Sequence, residues 1–373
     1  MKNIVNLGNV ATYINGYAFK PSDWAEDGTP IIRIQDLTGN SYQMNRFKGI
    51  VDSKYDVNSG DVLISWSASL GVYVWNRGNA VLNQHIFKVV FDKEEVDKDF
   101  FVFQIDNLLK RAANQAHGAT MRHLTKPVFD ALPFYLPDIK TQRLISSKLN
   151  LIVHLIEGHH EQLKKLDELI RSRFLEMFGE PWVNDKEFPC YSVGQVAESV
   201  TYGTSAPASD SGQYEYLRMN NLTDNGQLDL SDLKRIDMSD EQAEKYMVKK
   251  GDILFNRTNS IDLVGKTALF NLNNPMIIAG YLIRIRLSDK VNPVYFVAYM
   301  NMPYMKEKLR NIAKGAVNQA NINSKELKSI QILIPPLSLQ NEYYNFVLSI
   351  DKSKYREAIF LYLLEDIRIC CNI

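Results

Sequence analysis

Over most of the chain, apolar residues come in short runs rich in Val, Ile, Phe and Tyr. Examples are "GIVDSKYDV" from Gly49, "DVLISW" from Asp61 and "IFKVVF" from Ile86, with Gly and Asn punctuating the gaps. Runs of this length between turn formers predict short strands in an irregular domain. Two stretches break the pattern. From Asp138 to Glu180 the chain runs without proline, and alternating steps of four and three pass through Ile145, Leu149, Ile152, Ile156, His159, Leu163, Leu166, Ile170, Arg173 and Met177. That is a coiled-coil seam on one long helix. Gly158, inside "EGHH", weakens its middle by up to about 1 kcal/mol relative to alanine. A second long helix is predicted from about Leu337 onward, in the same frame through Tyr343, Val347, Ile350, Leu361 and Leu364, with Lys354 and Glu357 interrupting the seam. Shorter helices are predicted in "KDFFVFQIDNLLKRAAN" from Lys98 and "VYFVAYMNMPYMKEKLRNIA" from Val294.

The pattern occurs twice. "GDVLISWSAS" from Gly60 is echoed by "GDILFNRTNS" from Gly251, and Leu7-Gly8-Asn9-Val10 by Val193-Gly194-Gln195-Val196. "IIRIQDLTGN" from Ile31 matches "YLRMNNLTDN" from Tyr216, and "QHIFKVVF" from Gln84 matches "GYLIRIRL" from Gly280. "ALPFYLPDIKTQ" from Ala131 matches "SIQILIPPLSLQ" from Ser329, in the same order along each half. The unit is far longer than the 20–50 residues of a stacked repeat, so a solenoid is excluded. The expected fold class is α+β. Two similar strand-rich domains, residues 1–137 and 181–335, alternate with helices at 138–180 and 336–373. The two helices are expected to pack as an antiparallel coiled coil with pseudo-twofold symmetry. A helix of about 38 residues is about 57 Å long. That is somewhat more than one and a half turns of duplex DNA at about 34–36 Å per turn. Two domains on such a strut could touch separated segments of one duplex.

Composition narrows this further. With 373 residues, 45% hydrophobic and 23% charged, the chain has the make-up of a folded protein of two or three domains. The opening "MKNIVNLGNV" lacks the apolar core of a signal peptide, and no stretch has the apolar length of a membrane span. Cys190, Cys370 and Cys371 form no CxxC pair, so a reduced, cytoplasmic protein is expected, with no membrane association. The formal net charge of +0 argues against a chain that grips nucleic acid unaided.

Motifs for catalysis are incomplete. "VGKTALF" from Val264 carries Gly-Lys-Thr, but a phosphate-binding loop needs glycine where Ser260 stands. A turn into a strand is the simpler reading. "NPVY" from Asn292 falls one residue short of the Asn-Pro-Pro-aromatic signature of amino-methyltransferases, and Pro293 reads better as the first residue of a helix. His159 and His160 lie on the long helix without a ligand partner at metal-binding spacing. Neither catalytic nor metal-ligating residues are assigned.

The remaining candidates suit recognition. Ser65, Trp66, Ser67 and Arg77 follow the repeated Gly-Asp phrase in the first half, and Asn256, Arg257, Thr258, Asn259 and Lys266 follow it in the second. Nearer each domain's end come Arg122 and His123 in "HGATMRHLT", and Lys314, Asn318 and Gln319 in "KGAVNQANIN". Amide, hydroxyl and guanidinium groups of this kind contact base edges and phosphates. Polar surface loops are the plain alternative. The framework repeats while the polar residues after it differ, which suggests two domains reading different things.

In these features the chain resembles the specificity subunit of type I restriction-modification systems. The resemblance rests on the paired Gly-Asp phrases and on "IPPLSLQ", which is similar to the family's Pro-Pro-Leu-x-x-Gln opening of a helix. It rests also on "HLTKPVFDALPFYLPDIKTQ" leading into "LKKLDELIRSRFLEMFGEPW". The chain departs from the family at Asp138, where a second proline is common, and in the finish "RICCNI". The resemblance implies that each domain recognises one half of a bipartite, asymmetric site in double-stranded DNA. The helices would set the unread spacer and dock two methyltransferase subunits. Those subunits would bind S-adenosylmethionine and methylate adenine N6, and restriction subunits would add ATP- and Mg-dependent cleavage. No cofactor is expected on this chain. The competing expectations are a stand-alone DNA methyltransferase or nuclease, and a coiled-coil scaffold that binds only protein.

Overall fold

The computed structural model describes residues 3–115, 125–316 and 319–371, apart from the side chains of 113–115, 316 and 369–371. The chain divides into two compact units: Met1–His160 with Ile359–Ile373, and Glu161–Ala358.

In the first unit a four-stranded antiparallel sheet runs in the order Thr12–Asn15, Ile86–Val90, Val62–Ser65, Gly71–Val74. A second sheet places Thr29–Ile32 parallel to Ala80–Leu82, with Asp56–Val57 antiparallel beyond it. Ile4–Asn6 pairs with Pro133–Tyr135. The second unit repeats each feature. Its four-stranded sheet runs Ala197–Tyr202, Leu282–Leu287, Ile253–Asn256, Thr267–Leu269. Its second sheet sets Tyr214–Leu217 parallel to Met276–Ile278, with Met247–Val248 antiparallel beyond it, and Cys190–Ser192 pairs with Gln331–Leu333. Order and strand sense therefore agree for all of these strands, while Trp24–Ala25 at the edge of the first unit's second sheet has no counterpart among the described residues of the second unit.

The repeated Gly-Asp phrase now has a physical reason. Gly60 and Gly251 sit at φ +99° and +97°, a left-handed conformation that favours glycine. The next residue accepts a hydrogen bond from the backbone three positions earlier, Asn58 N–H to Asp61 and Lys249 N–H to Asp252, both at 2.9 Å. Each carboxylate also pairs with a neighbouring strand, Asp61 with Lys88 at 3.2 Å and Asp252 with Arg286 at 2.9 Å. The strand that follows is buried on both faces. Val62 and Ile64 join Phe87, Val89, Phe101 and Phe134, while Leu63 turns to Ile32, Trp75 and Leu82. Ile253 and Phe255 likewise join Ile283, Ile285 and Phe296, while Leu254 turns to Ala268, Phe270 and Ile278. A strand apolar on both sides reads as a continuous run rather than an alternation.

The long helices span Ile139–Phe178 and Leu337–Cys371, and Gly158 does not interrupt the first. One glutamine pins the start of each. Gln142 accepts from Asp97 N–H (2.9 Å) and donates to Glu95 O (3.2 Å) and Pro137 O (2.8 Å). Gln340 accepts from Asn292 N–H (2.8 Å) and donates to Lys290 O (3.3 Å) and Pro335 O (2.7 Å). Both side chains are buried. Within the second unit the helices run antiparallel. Arg173 meets Glu342 at 2.9 Å, and Lys354 meets Asp167 at 2.6 Å, which satisfies the charge that interrupts the seam. Phe174 and Phe178 pack on Tyr295 and Tyr343 with ring centroids 4.8–5.7 Å apart. Within the first unit His159 stacks on Phe360 at 5.9 Å.

One expected element is split. The apolar stretch from Val294 forms two helices, Pro293–Met300 and Pro303–Ile312. Pro303 holds Met302 in an extended conformation (φ −61°, ψ 144°), so the first helix cannot continue through it. Lys98–Gln115 is one helix.

Gln340→Leu would leave the Asn292 N–H, the buried Pro335 carbonyl and the partly buried Lys290 carbonyl without this partner. At roughly 1–3 kcal/mol per orphaned group, a loss of about 3 kcal/mol or more is expected. Urea denaturation measures it, and an unchanged midpoint would refute the clamp. Gly251→Ala meets no atom within 4 Å, so its expected cost is conformational alone. That cost is about 1–2 kcal/mol, read from the same titration.

Candidate nucleic-acid interface

In the second unit the strand Ile253–Asn256 ends where Asn256 exchanges backbone hydrogen bonds with Gly265 and Lys266, each at 2.8 Å. Thr258–Asn259 then pairs with Gln319–Asn321, which pairs in turn with Lys314–Ala316. Two polar stretches far apart in sequence thus become one small antiparallel sheet. Arg257 lies at its root. Its guanidinium sits 4.9 Å from the centre of the Tyr202 ring and donates to Asn321 Oδ1 (3.1 Å) and Gly280 O (3.4 Å). Thr258, which is buried, accepts from Asn321 Nδ2 at 3.1 Å. Asn259 accepts from Ser260 N–H at 2.9 Å. Lys314 pairs with Glu326 at 2.7 Å and holds that carboxyl below its ordinary range, while Gln319 is exposed. Asn256 is wholly buried, and neither atom of its side-chain amide has a hydrogen-bond partner among the described residues.

Beside this sheet Lys266 pairs with Asp224 at 3.1 Å, and Lys306 donates to Gly265 O at 2.8 Å. Burial pushes the Lys306 ammonium down to about 8, with Lys266 and Arg310 adding to the fall and Asp224 opposing it. Gly265-Lys266-Thr267 leads into the strand Thr267–Leu269 rather than opening a helix, as a phosphate-binding loop must. Asn292 is the N-cap of the helix Pro293–Met300, accepting from Val294 N–H at 2.9 Å.

In the first unit Ser65 and Ser67 are buried, and Ser65 Oγ donates to Ser69 O. These serines, like Asn256 and Thr258, shape the end of the sheet from inside rather than offering groups at its surface. Trp66 is half-buried. Its indole N–H donates to Asn15 Oδ1 at 3.1 Å, and its ring stacks on Phe87 at 5.7 Å. Arg77 does not join it. Ser65 lies opposite Gly71 and Val62 opposite Val74, so the chain reaches Arg77 at the other end of the sheet, about 13 Å of strand away. There Arg77 donates to Asp36 O at 3.3 Å and lies over the Trp75 ring. Its grouping with Ser65, Trp66 and Ser67 around one strand end is therefore corrected: a whole strand separates Arg77 from Trp66. Arg122, His123 and Asn318 lie outside the described residues.

Sequence reasoning did not single out Tyr202, Asn321 or Glu326. Asn321 lies inside "KGAVNQANIN" and Glu326 just beyond it, so both could have been included by proximity. Tyr202 gives no signal, because only the pairing of Ala197–Tyr202 in the sheet brings it to Arg257. Among the described residues no group of three or more His, Cys, Asp or Glu could hold a metal ion, and no helix is long and apolar enough to cross a membrane.

Comparison with known proteins agrees with this duplicated design. The chain is 24% identical over 371 residues to the specificity subunit of the type I restriction enzyme EcoBI of Escherichia coli, covering 91% of this chain and 77% of that one. It is 22% identical over 381 residues to the MjaVIII specificity subunit of Methanocaldococcus jannaschii, covering 95% and 88%. Among solved structures, the S subunit of a type I restriction-modification system from M. genitalium shares the fold at a TM-score of 0.53, with 13% identity over 99% of this chain and 94% of that one. A chain from a structure of type I R-M complex assembly and conformational transition shares it at 0.61, with 16% identity over 99% and 96%. The profile of the type I restriction modification DNA specificity domain matches twice, at residues 2–168 and 186–358. Both halves of the chain fall within that one profile, and the chain belongs to its family.

Proposed function

We propose that the chain is the DNA sequence-specificity subunit of a type I restriction-modification complex, with each strand-rich half reading one part of a bipartite, asymmetric site. The observation that carries this reading is the agreement of the two units in the order and sense of their shared strands, combined with different side chains at equivalent sheet ends. A framework used twice with different tips suits a protein that distinguishes two targets. The long helices set the unread spacer and dock two methyltransferase subunits, to which restriction subunits add. The chain is itself non-catalytic and works in the cytoplasm. S-adenosylmethionine, ATP and Mg belong to the partner subunits in this reading. It is supported by the ordinary structural roles of the near-motifs, Asn292 as a helix cap and Gly265-Lys266-Thr267 as a turn into a strand.

Co-expression with its methyltransferase subunit, followed by single-molecule mapping of methylated adenines, should reveal a split, asymmetric motif. Arg257→Ala should weaken or relax one half of that motif by about 1–3 kcal/mol per contacted base and spare the other. A short continuous palindrome would contradict two readers, and an Arg257→Ala motif altered in both halves would contradict their independence.

A further inference from the structure

Three positions at one end of the four-stranded sheet coincide in the two units, although their side chains differ in chemistry. Backbone bonds fix the correspondence. Trp66 N–H donates to His85 O at 3.3 Å, as Arg257 N–H does to Tyr281 O at 3.0 Å. On the adjacent strand Asn15 and Tyr202 are each followed by a glycine. A Cβ on Gly16 would lie 2.0 Å from Asn83 O, and one on Gly203 would lie 2.3 Å from Ala279 O. Isolated parallel bridges then join Tyr17 to Asn83 and Thr204 to Ala279. The supports match, and the residues they present do not.

We propose that Asn15, Trp66 and His85 form the base-contacting tip of the first half, and Tyr202, Arg257 and Tyr281 that of the second. Asn15, His85, Tyr202 and Tyr281 thereby become specificity residues, an assignment that rests on the DNA-reading function above. In the first tip Trp66 bonds Asn15 and meets the His85 ring at 5.0 Å, which presents an amide and an imidazole side by side. Both of those residues are exposed. His85 holds φ +71°, backbone strain of the kind kept at functional positions. In the second tip the guanidinium is fixed over Tyr202, with Tyr202 38% and Tyr281 50% exposed beside it. Each terminal nitrogen of this guanidinium keeps one N–H beyond those given to Asn321 and Gly280, and such a pair of donors matches the O6 and N7 acceptors of guanine, whereas an amide matches the N6 and N7 edge of adenine. The second tip therefore takes a half-site containing guanine, with the Tyr281 hydroxyl on a neighbouring base, while the Tyr202 hydroxyl accepts from Ser324 N–H at 2.7 Å.

The test maps methylated motifs for the complex carrying His85→Ala or Tyr281→Ala, with Tyr42→Ala, a fully exposed tyrosine elsewhere, as control. His85→Ala should relax base preference in one half of the motif by about tenfold to a hundredfold, and Tyr281→Ala in the other half by a similar factor. Tyr42→Ala should change neither. If an alanine variant fails to assemble, His85→Asn and Tyr281→Phe keep most of the packing, and an altered half-motif is again expected. Unchanged motifs in these variants, or a uniform fall in methylation with the motif intact, would overturn the tip assignment while leaving the split-site reading in place. A wild-type complex with no split motif would sink both.

Discussion

Gln142 and Gln340 each place a buried side-chain amide between the first turn of a long helix and the loop that feeds the unit's short helix. Each amide serves one backbone donor and two backbone acceptors. Turning either helix start away from its own domain would strand all of these groups in a protein interior, where an unmade hydrogen bond costs far more than a made one gains. The direction in which each helix leaves its own domain is thereby fixed locally. In the second unit the aromatic packing of Phe174 and Phe178 on Tyr295 and Tyr343 reinforces it. A recognition domain whose outgoing helix could swivel would be a poor gauge of distance along a duplex.

The parts of this design that could be read from the amino acids are those where the backbone leaves little choice. Gly60 and Gly251 occupy left-handed turns, and the apolar run after each belongs to a strand buried on both faces. Such requirements repeat as letters, so the duplication and the α+β fold class were legible. Gln142 and Gln340 were visible as a motif, yet their role was not, because a glutamine near a helix start looks like any solvated residue until its partners are known. Arg77 was misplaced because its distance along the chain from Trp66 concealed an intervening strand. The split at Pro303 was written in the sequence, but the apolar pattern on both sides of it masked the break.

At the sheet ends the reasoning reverses. Asn15 and Tyr202 share a backbone position and no side-chain chemistry, so comparison of letters passes over them, while His85 and Tyr281 fall inside matched stretches without standing out. Register shows that these positions meet at one sheet end, through the bonds from Trp66 to His85 and from Arg257 to Tyr281. The supports beneath them act through main-chain atoms and through glycines that admit no side chain. Exchanging the exposed residues therefore leaves the underlying hydrogen bonds intact, and a domain built this way can change what it reads without changing how it folds.

Charge follows the same economy. Lys314 is paired with Glu326, Lys266 with Asp224, Arg218 with Asp232 and Lys234 with Asp210, all within the second unit. A phosphate reaching any of these cations must displace a carboxylate already in place, so the gain is a difference between two ion pairs rather than a whole one. Binding that depends on released counterions is correspondingly small for a chain with no net charge. Base-edge contacts remain, and those discriminate between sequences more than they add affinity. Side chains arranged in this way favour selectivity over strength of binding.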